Sequence, residues 1–274
     1  MWGAIIGDII GSSFEIENNR TPYFELFRTN ARFTDDTVCT AAVADILYKI
    51  NWEQENNHDA ISDELRLWCC TYLNRGFGSM FYQWIANGVN QPYNSYGNGS
   101  LMRISPVAKY ATKHHLTKEK AIDIALQITK ITHNHPQALL AVSIYIDILY
   151  ELFKNPHLSL LDKKFIIVNT LHKYNYEQPK TIFDYRISID FDLTAQTSLL
   201  VAISSILETE SFYDVFYQVI SVGGDSDTYA AIAGPIAEII YGLEYDSLLN
   251  IQPYFKEYDQ KILLSLQKLY SNVI

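Results

Sequence analysis

Arg32-Phe33-Thr34-Asp35-Asp36-Thr37 runs straight into Val38, Ala41, Ala42, Ala44, Ile46 and Leu47, so two adjacent carboxylates and two hydroxyls stand at the mouth of an apolar helix. Asp and Thr start helices well, because their oxygens cap orphan backbone N–H groups and the helix dipole favours negative charge there. Far along the chain, Gly223-Gly224-Asp225-Ser226-Asp227-Thr228 repeats the same chemistry ahead of a second apolar helix. One such mouth reads as an ordinary cap. Two in one domain point instead to a pair of oxygen clusters facing each other across a hard divalent cation.

Outward from these mouths the pattern is helical. In Trp2 to Phe14, Gly3, Gly7 and Gly11 recur every four residues, which on a helix makes one bare stripe for another backbone to pack against; a buried first helix is the expectation. Asp8 within it is either a satisfied structural carboxylate or a group that orients the ligands in front of it. Glu15 ends the segment, and residues 16–31 read as a loop with Asn18-Asn19 and Thr21-Pro22 as turn signals. The helix beginning near Asp35 stops at the polar run Asn51 to Asp59, and Ser62-Asp63-Glu64 starts the next. Residues 74–100, rich in glycine and without periodicity, read as one long functional loop. That loop ends in Asn94-Ser95-Tyr96-Gly97-Asn98-Gly99-Ser100-Leu101-Met102-Arg103, where glycines would let backbone N–H groups approach a ligand's phosphates at the start of the following helix.

Helices are expected at 118–131 and 136–154, with Pro136 in a first turn. Between them lies Thr132-His133-Asn134-His135. Ligand contact or helix capping is favoured over metal binding there, because imidazole suits softer ions than carboxylates do. A helix at 159–174, a polar connection at 174–190 and helices at 191–207 and 211–220 lead to an almost wholly apolar core helix, Tyr229 to Gly242. It is expected to kink near Gly234-Pro235 and to stop at Gly242. A final amphipathic helix spans 252–272. With no strand ladder or repeat, residues 1–274 read as a single compact, orthogonal, all-α domain of ten to twelve helices.

Composition narrows the function. Of 274 residues, 48% are hydrophobic and 19% charged, which makes a globular chain; the formal charge of −10 argues against nucleic-acid partners and against phosphate-bearing ligands without a cation. Cys39, Cys69 and Cys70 give neither a disulfide framework nor a zinc spacing. No secretory signal and no membrane partner are expected, hence a cytoplasmic location, and the lack of an exposed heptad seam suggests a monomer.

Tyr229 and Ala230 stand where a calcium-binding EF-hand loop would need an oxygen ligand and a glycine, so that reading fails. The candidate ligands are Thr34, Asp35, Asp36, Asp225, Asp227 and Thr228. Four carboxylates close together repel one another unless cations neutralise them, and all-oxygen ligation favours magnesium or manganese over zinc.

Gly-Asp-Ile-Ile-Gly-Ser-Ser-Phe-Glu at residues 7–15, Phe-Thr-Asp-Asp-Thr at 33–37, Tyr-Gly-Asn-Gly-Ser-Leu-Met-Arg at 96–103, Thr-His at 132–133 and Gly-Gly-Asp-Ser-Asp-Thr at 223–228 occur in this order. The order resembles the ADP-ribosylglycohydrolase family over residues 1 to about 243. The resemblance implies an all-α fold and a two-metal site, usually magnesium and in some members manganese, that cleaves the bond between an ADP-ribosyl group and its acceptor. By motif, Thr34, Asp35 and Asp36 resemble the first ligand set, and Asp225, Asp227 and Thr228 the second. Glu15 falls where members hold a carboxylate near the metals or the ribose, so Asp35 or Glu15 would orient or deprotonate the attacking water. Ser95, Tyr96, Gly97, Asn98, Gly99 and Ser100 resemble the loop that grips the diphosphate, supported by Met102 and Arg103, and His133 resembles a residue beside the adenosine half. The expected partner is an ADP-ribosylated protein or a small ADP-ribose conjugate, with residues 16–31 and 74–94 bordering the acceptor. Two alternatives use the same residues: a non-catalytic ADP-ribose-binding module, and a metal-dependent nucleotide phosphohydrolase.

Overall fold

Fourteen α-helices and no strand are found among residues 1–54 and 56–271, the part of the chain described by the computed structural model. In order they are α1 Trp2–Gly11, α2 Asp35–Lys49, α3 His58–Thr71, α4 Ser79–Asn87, α5 Pro106–Lys113, α6 Lys118–Lys130 and α7 Pro136–Lys154. There follow α8 Leu160–Lys173, α9 Ile182–Ser188, α10 Ala195–Leu207, α11 Phe212–Ile220, α12 Ser226–Tyr241, α13 Ser247–Ile251 and α14 Gln260–Tyr270. Many starts are chemically marked. Thr34, Thr117, Ser159, Thr194 and Ser211 each accept an N–H of the first turn they open, and His135 does the same ahead of Pro136.

The glycine stripe sets the centre of the molecule. α1 is buried along its whole length and runs antiparallel to α12, with Gly3 on Gly234, Gly7 on Ala230 and Gly11 on Asp227. A Cβ at Gly3 or Gly7 would lie inside the facing carbonyl, and one at Gly11 would sit 2.5 Å from the Asp227 Cα. Only glycine permits that approach, and close backbone packing offsets its helix-propensity cost of about 1 kcal/mol. α2, α10 and α11 pack around this pair, α7 joins it from the side of α5, α6 and α8, and α14 closes over α2 and α5. α7 is long and apolar enough to cross a membrane, but most of it is buried here among other helices.

Four expectations are corrected. Residues 74–100 are not one loop: α4 forms there, burying Phe81, Trp84 and Ile85 at helical spacing that the surrounding glycines obscured. The 174–190 connection holds α9, nucleated by a reciprocal cap between Thr181 and Asp184. The closing helix is shorter than expected, since Pro253 sits in a 3₁₀ turn and α14 starts only at Gln260. The helices number fourteen among the described residues rather than ten to twelve. α12 is unbroken at Pro235, which has no N–H to donate, and stops as expected at Gly242, whose φ is +80°.

Candidate active site

α1 docks onto the mouth of α2 through Asp8. This buried carboxylate accepts the N–H groups of Thr34 (2.9 Å) and Thr37 (3.1 Å), the Thr34 hydroxyl (2.7 Å) and the Thr37 hydroxyl. It therefore caps a helix from a neighbouring helix, satisfying donors that α2 cannot satisfy itself. At the other end of the stripe, Ser226 donates to the Gly11 carbonyl (2.9 Å), which seats the mouth of α12 beside the end of α1. The two mouths meet as a result. Thr228 of α12 donates to Asp36 Oδ2 (3.2 Å), and the Thr34 hydroxyl oxygen, whose proton goes to Asp8, lies equally near that atom.

Two groups of carboxylates share this space. Asp8, Asp36 and Asp227 form one, and Glu15, Asp225 and Asp227 the other; within each, one oxygen per residue lies within 4.8 Å of the rest. Asp227 belongs to both. Asp35 is in neither group: it stands half-buried at the edge, its N–H held by the Arg75 carbonyl (2.8 Å), with Gly76 facing its carboxylate. Burial raises Asp36 well above the usual carboxylate range, followed by the charges of Asp227, Asp8, Asp35 and Asp225. Asp227 is raised by burial and by Asp225, Glu15, Asp8 and Asp35, and Asp35 by burial, Asp8 and Asp225. Asp8 and Asp225 are raised less, to about 6, because hydrogen-bond donors oppose the burial that lifts them.

Such a cluster fits divalent cations. Its donors are all oxygen, and among the described residues no Lys or Arg pairs with its charges and Asp36 Oδ1 is buried with no hydrogen-bond partner. A carboxylate oxygen left bare in the interior is costly unless a cation or a proton occupies it.

The loop at 95–100 joins the acidic cluster through Asn98. Its side chain is buried and donates to Asp225 Oδ2 (2.5 Å) and Ser198 Oγ (3.1 Å), while its backbone N–H reaches the Leu193 carbonyl (2.8 Å). Ser95 accepts the Gly97 N–H (3.1 Å), and Ser100 donates to the Gly97 carbonyl (2.8 Å), so the turn is held from both sides. Among the described residues the N–H groups of Ser95, Tyr96 and Gly99 make no hydrogen bond, which leaves three donors for a ligand. Tyr96 is half-exposed, with its ring 5.3 Å from that of His135. Buried His133 faces Gly99, where a Cβ would come within 3.1 Å of Nε2. Burial and Arg103 keep its imidazole well below the usual range, so it is neutral at pH 7.

The fold thus gathers Thr34, Asp36, Asp225, Asp227 and Thr228, brings Glu15 and Asp35 to their rim, and sets Ser95 to Ser100 and His133 alongside. Two contributors had gone unassigned. Asp8, read only as structural or orienting, lies within the carboxylate cluster itself; its being the sole charge in α1 was the signal. Ser198 was missed among the apolar residues of α10. Asn18 and Arg20, in the stretch expected to border the acceptor, brace the 222–224 turn: Asn18 accepts the Gly224 N–H (2.9 Å), and Arg20 donates to the carbonyls of Val222 (2.6 Å), Ile189 (2.6 Å), Arg186 (3.0 Å) and Asp190 (3.1 Å). A separate cavity of about 410 Å³, lined by Lys109, Lys113, Phe153 and Tyr270, shares no residue with this cluster.

A family model described as ADP-ribosylglycohydrolase matches residues 1–248. A solved structure described as an ADP-ribosylglycohydrolase-related protein complex superposes with a TM-score of 0.70 at 18% identity, covering 99% of this chain and 96% of the other, a likeness of fold. No curated protein matches the sequence.

Proposed function

The chain belongs to the ADP-ribosylglycohydrolase family, and from that premise we propose that it hydrolyses the glycosidic bond between the distal ribose of ADP-ribose and an acceptor, most often a protein side chain. The observation that carries the reading is the bond between Asn98 and Asp225, which couples a loop with three free backbone donors to a buried carboxylate cluster. A diphosphate and a ribose are likewise joined in one ligand.

Thr34, Asp35, Asp36, Asp225, Asp227 and Thr228 would hold two magnesium ions, or manganese in their place. When bound, such cations supply Lewis acidity toward the ribose hydroxyls and a water. Asp35 and Glu15, at the rim of the cluster, are placed to accept the proton of an attacking water. The buried carboxylates stabilise positive charge growing at the anomeric carbon, as in other glycosyl transfers. The free N–H groups of Ser95, Tyr96 and Gly99 bind the diphosphate with no added positive charge. The protein acts in the cytoplasm as a monomer on this reading.

ADP-ribose release from a modified protein tests it. Wild type with magnesium should turn over, while EDTA, Asp225→Ala and Asp35→Ala should each lower the rate at least 100-fold, the usual span for loss of a catalytic acid, base or metal. Undiminished turnover in the chelator or in Asp225→Ala refutes the cation assignment. AMP or phosphate as product would point to phosphohydrolysis, and affinity for ADP-ribose without turnover to a binding module.

A further inference from the structure

Behind the loop lies a buried polar chain that the proposed reaction does not explain. Arg103 is fully buried, and among the described residues it has no carboxylate partner and leaves Nε and Nη1 without hydrogen bonds. Its one hydrogen bond runs from Nη2 to the Thr132 hydroxyl oxygen (2.7 Å), and that hydroxyl lies 2.8 Å from His133 Nδ1. A guanidinium has no acceptor, so the Thr132 oxygen must accept from it. The hydroxyl hydrogen is then turned away from Arg103, and among the described residues His133 Nδ1 is the acceptor it meets at hydrogen-bond distance; the Tyr93 phenol, which also interacts with this hydroxyl, carries a proton of its own to donate to it. An imidazole nitrogen that accepts carries no proton, so in the neutral ring the proton sits on Nε2. Nε2 itself makes no hydrogen bond among the described residues and faces Gly97 and Gly99.

We propose that Arg103 and Thr132 are positioning residues that lock His133 as its Nε2–H tautomer, aiming a neutral donor at the oxygen-rich group held by the 95–100 loop. The inference rests on the ADP-ribose reading for the identity of that group, but the tautomer is a property of the protein alone. A charged imidazolium would bind an anion more strongly in water, yet it would have to be buried beside Arg103; a neutral donor avoids that repulsion. The other titratable group against the ring is Tyr93, whose ring lies 5.7 Å away. Burial holds its phenol neutral, so it leaves the donor's charge state unchanged across physiological pH.

Long-range ¹H–¹⁵N spectra of ¹⁵N-histidine protein read the tautomer directly, with the His133 signals assigned by their loss in His133→Gln. Ligand-free wild type should show an unprotonated Nδ1 and a protonated Nε2 from pH 8 down through the usual imidazole range near 6.5. Thr132→Val, which keeps the shape and removes the hydroxyl, should give a mixture of tautomers and weaken ADP-ribose binding about tenfold, the scale of one lost hydrogen bond. Arg103→Met should shift the tautomer in the same direction, whereas Thr132→Ser should restore both the spectrum and the affinity. A protonated Nδ1 in wild type overturns the proposal without any variant, as does an unchanged single tautomer in Thr132→Val. Wild type with the expected tautomer but no affinity for ADP-ribose would sink the functional reading and support the lock.

Discussion

Asp225→Asn provides a thermodynamic test of the carboxylate cluster that needs no substrate. Asp225 is almost fully buried, and its folded pKa is raised from 3.8 to about 6. Between those values the native protein binds the proton that the unfolded chain has released, so stability falls as pH rises through the window. A rise of about two units corresponds to roughly 3 kcal/mol, or roughly 6–12 °C in Tm for a domain of this size. His133 and His114, which burial holds below 6.5, act in the opposite sense, since they destabilise the fold as pH falls below 6.5. The quantity to read is therefore the difference between wild type and Asp225→Asn. In EDTA, urea or thermal unfolding from pH 4.5 to 7.5 should show wild type losing about 2 kcal/mol of that relative to the variant, the rest falling below pH 4.5. With magnesium or manganese a hundredfold above Kd, wild type should gain about 2.7 kcal/mol at pH 7.5 and the variant much less. A wild type that gains on the variant as pH rises in chelator refutes the argument, as do cations that stabilise the two proteins equally.

Two further predictions concern the frame. Gly7→Ala would drive a methyl into the Ala230 carbonyl and should cost about 3 kcal/mol or more in urea denaturation, whereas Gly78→Ala, facing open space, should change stability by less than about 0.5 kcal/mol. Arg20→Met strips donors from the carbonyls of Arg186, Ile189, Asp190 and Val222, so it should cost about 3 kcal/mol and speed amide exchange at 222–224; an unchanged exchange rate there would show that the brace is not needed.

Particular residues show how much of this was legible in the sequence. The glycine stripe at 3, 7 and 11 announced a close helix contact, but not that Gly234, Ala230 and Asp227 would supply it. The acidic mouths announced oxygen chemistry, but not that Asp8 would cap the first of them and join the cluster. α4 and α9 were overlooked because short helices nucleate weakly and owe their stability to packing: Phe81, Trp84 and Ile85 make a helix only against a core that is already there. Asn98 was legible as part of the diphosphate loop, but not that its side chain would reach Asp225.

The sequence by itself determined which segments are helical, which faces are apolar and which residue types open α2 and α12, since periodicity and capping act over a few neighbouring positions. The tertiary structure alone decided that Asp36 and Thr228 touch across 192 positions of chain, and with that the burial and mutual repulsion that raise the carboxylates. Electrostatic coupling depends on distance and on exclusion of water, and both arise only when the helices pack.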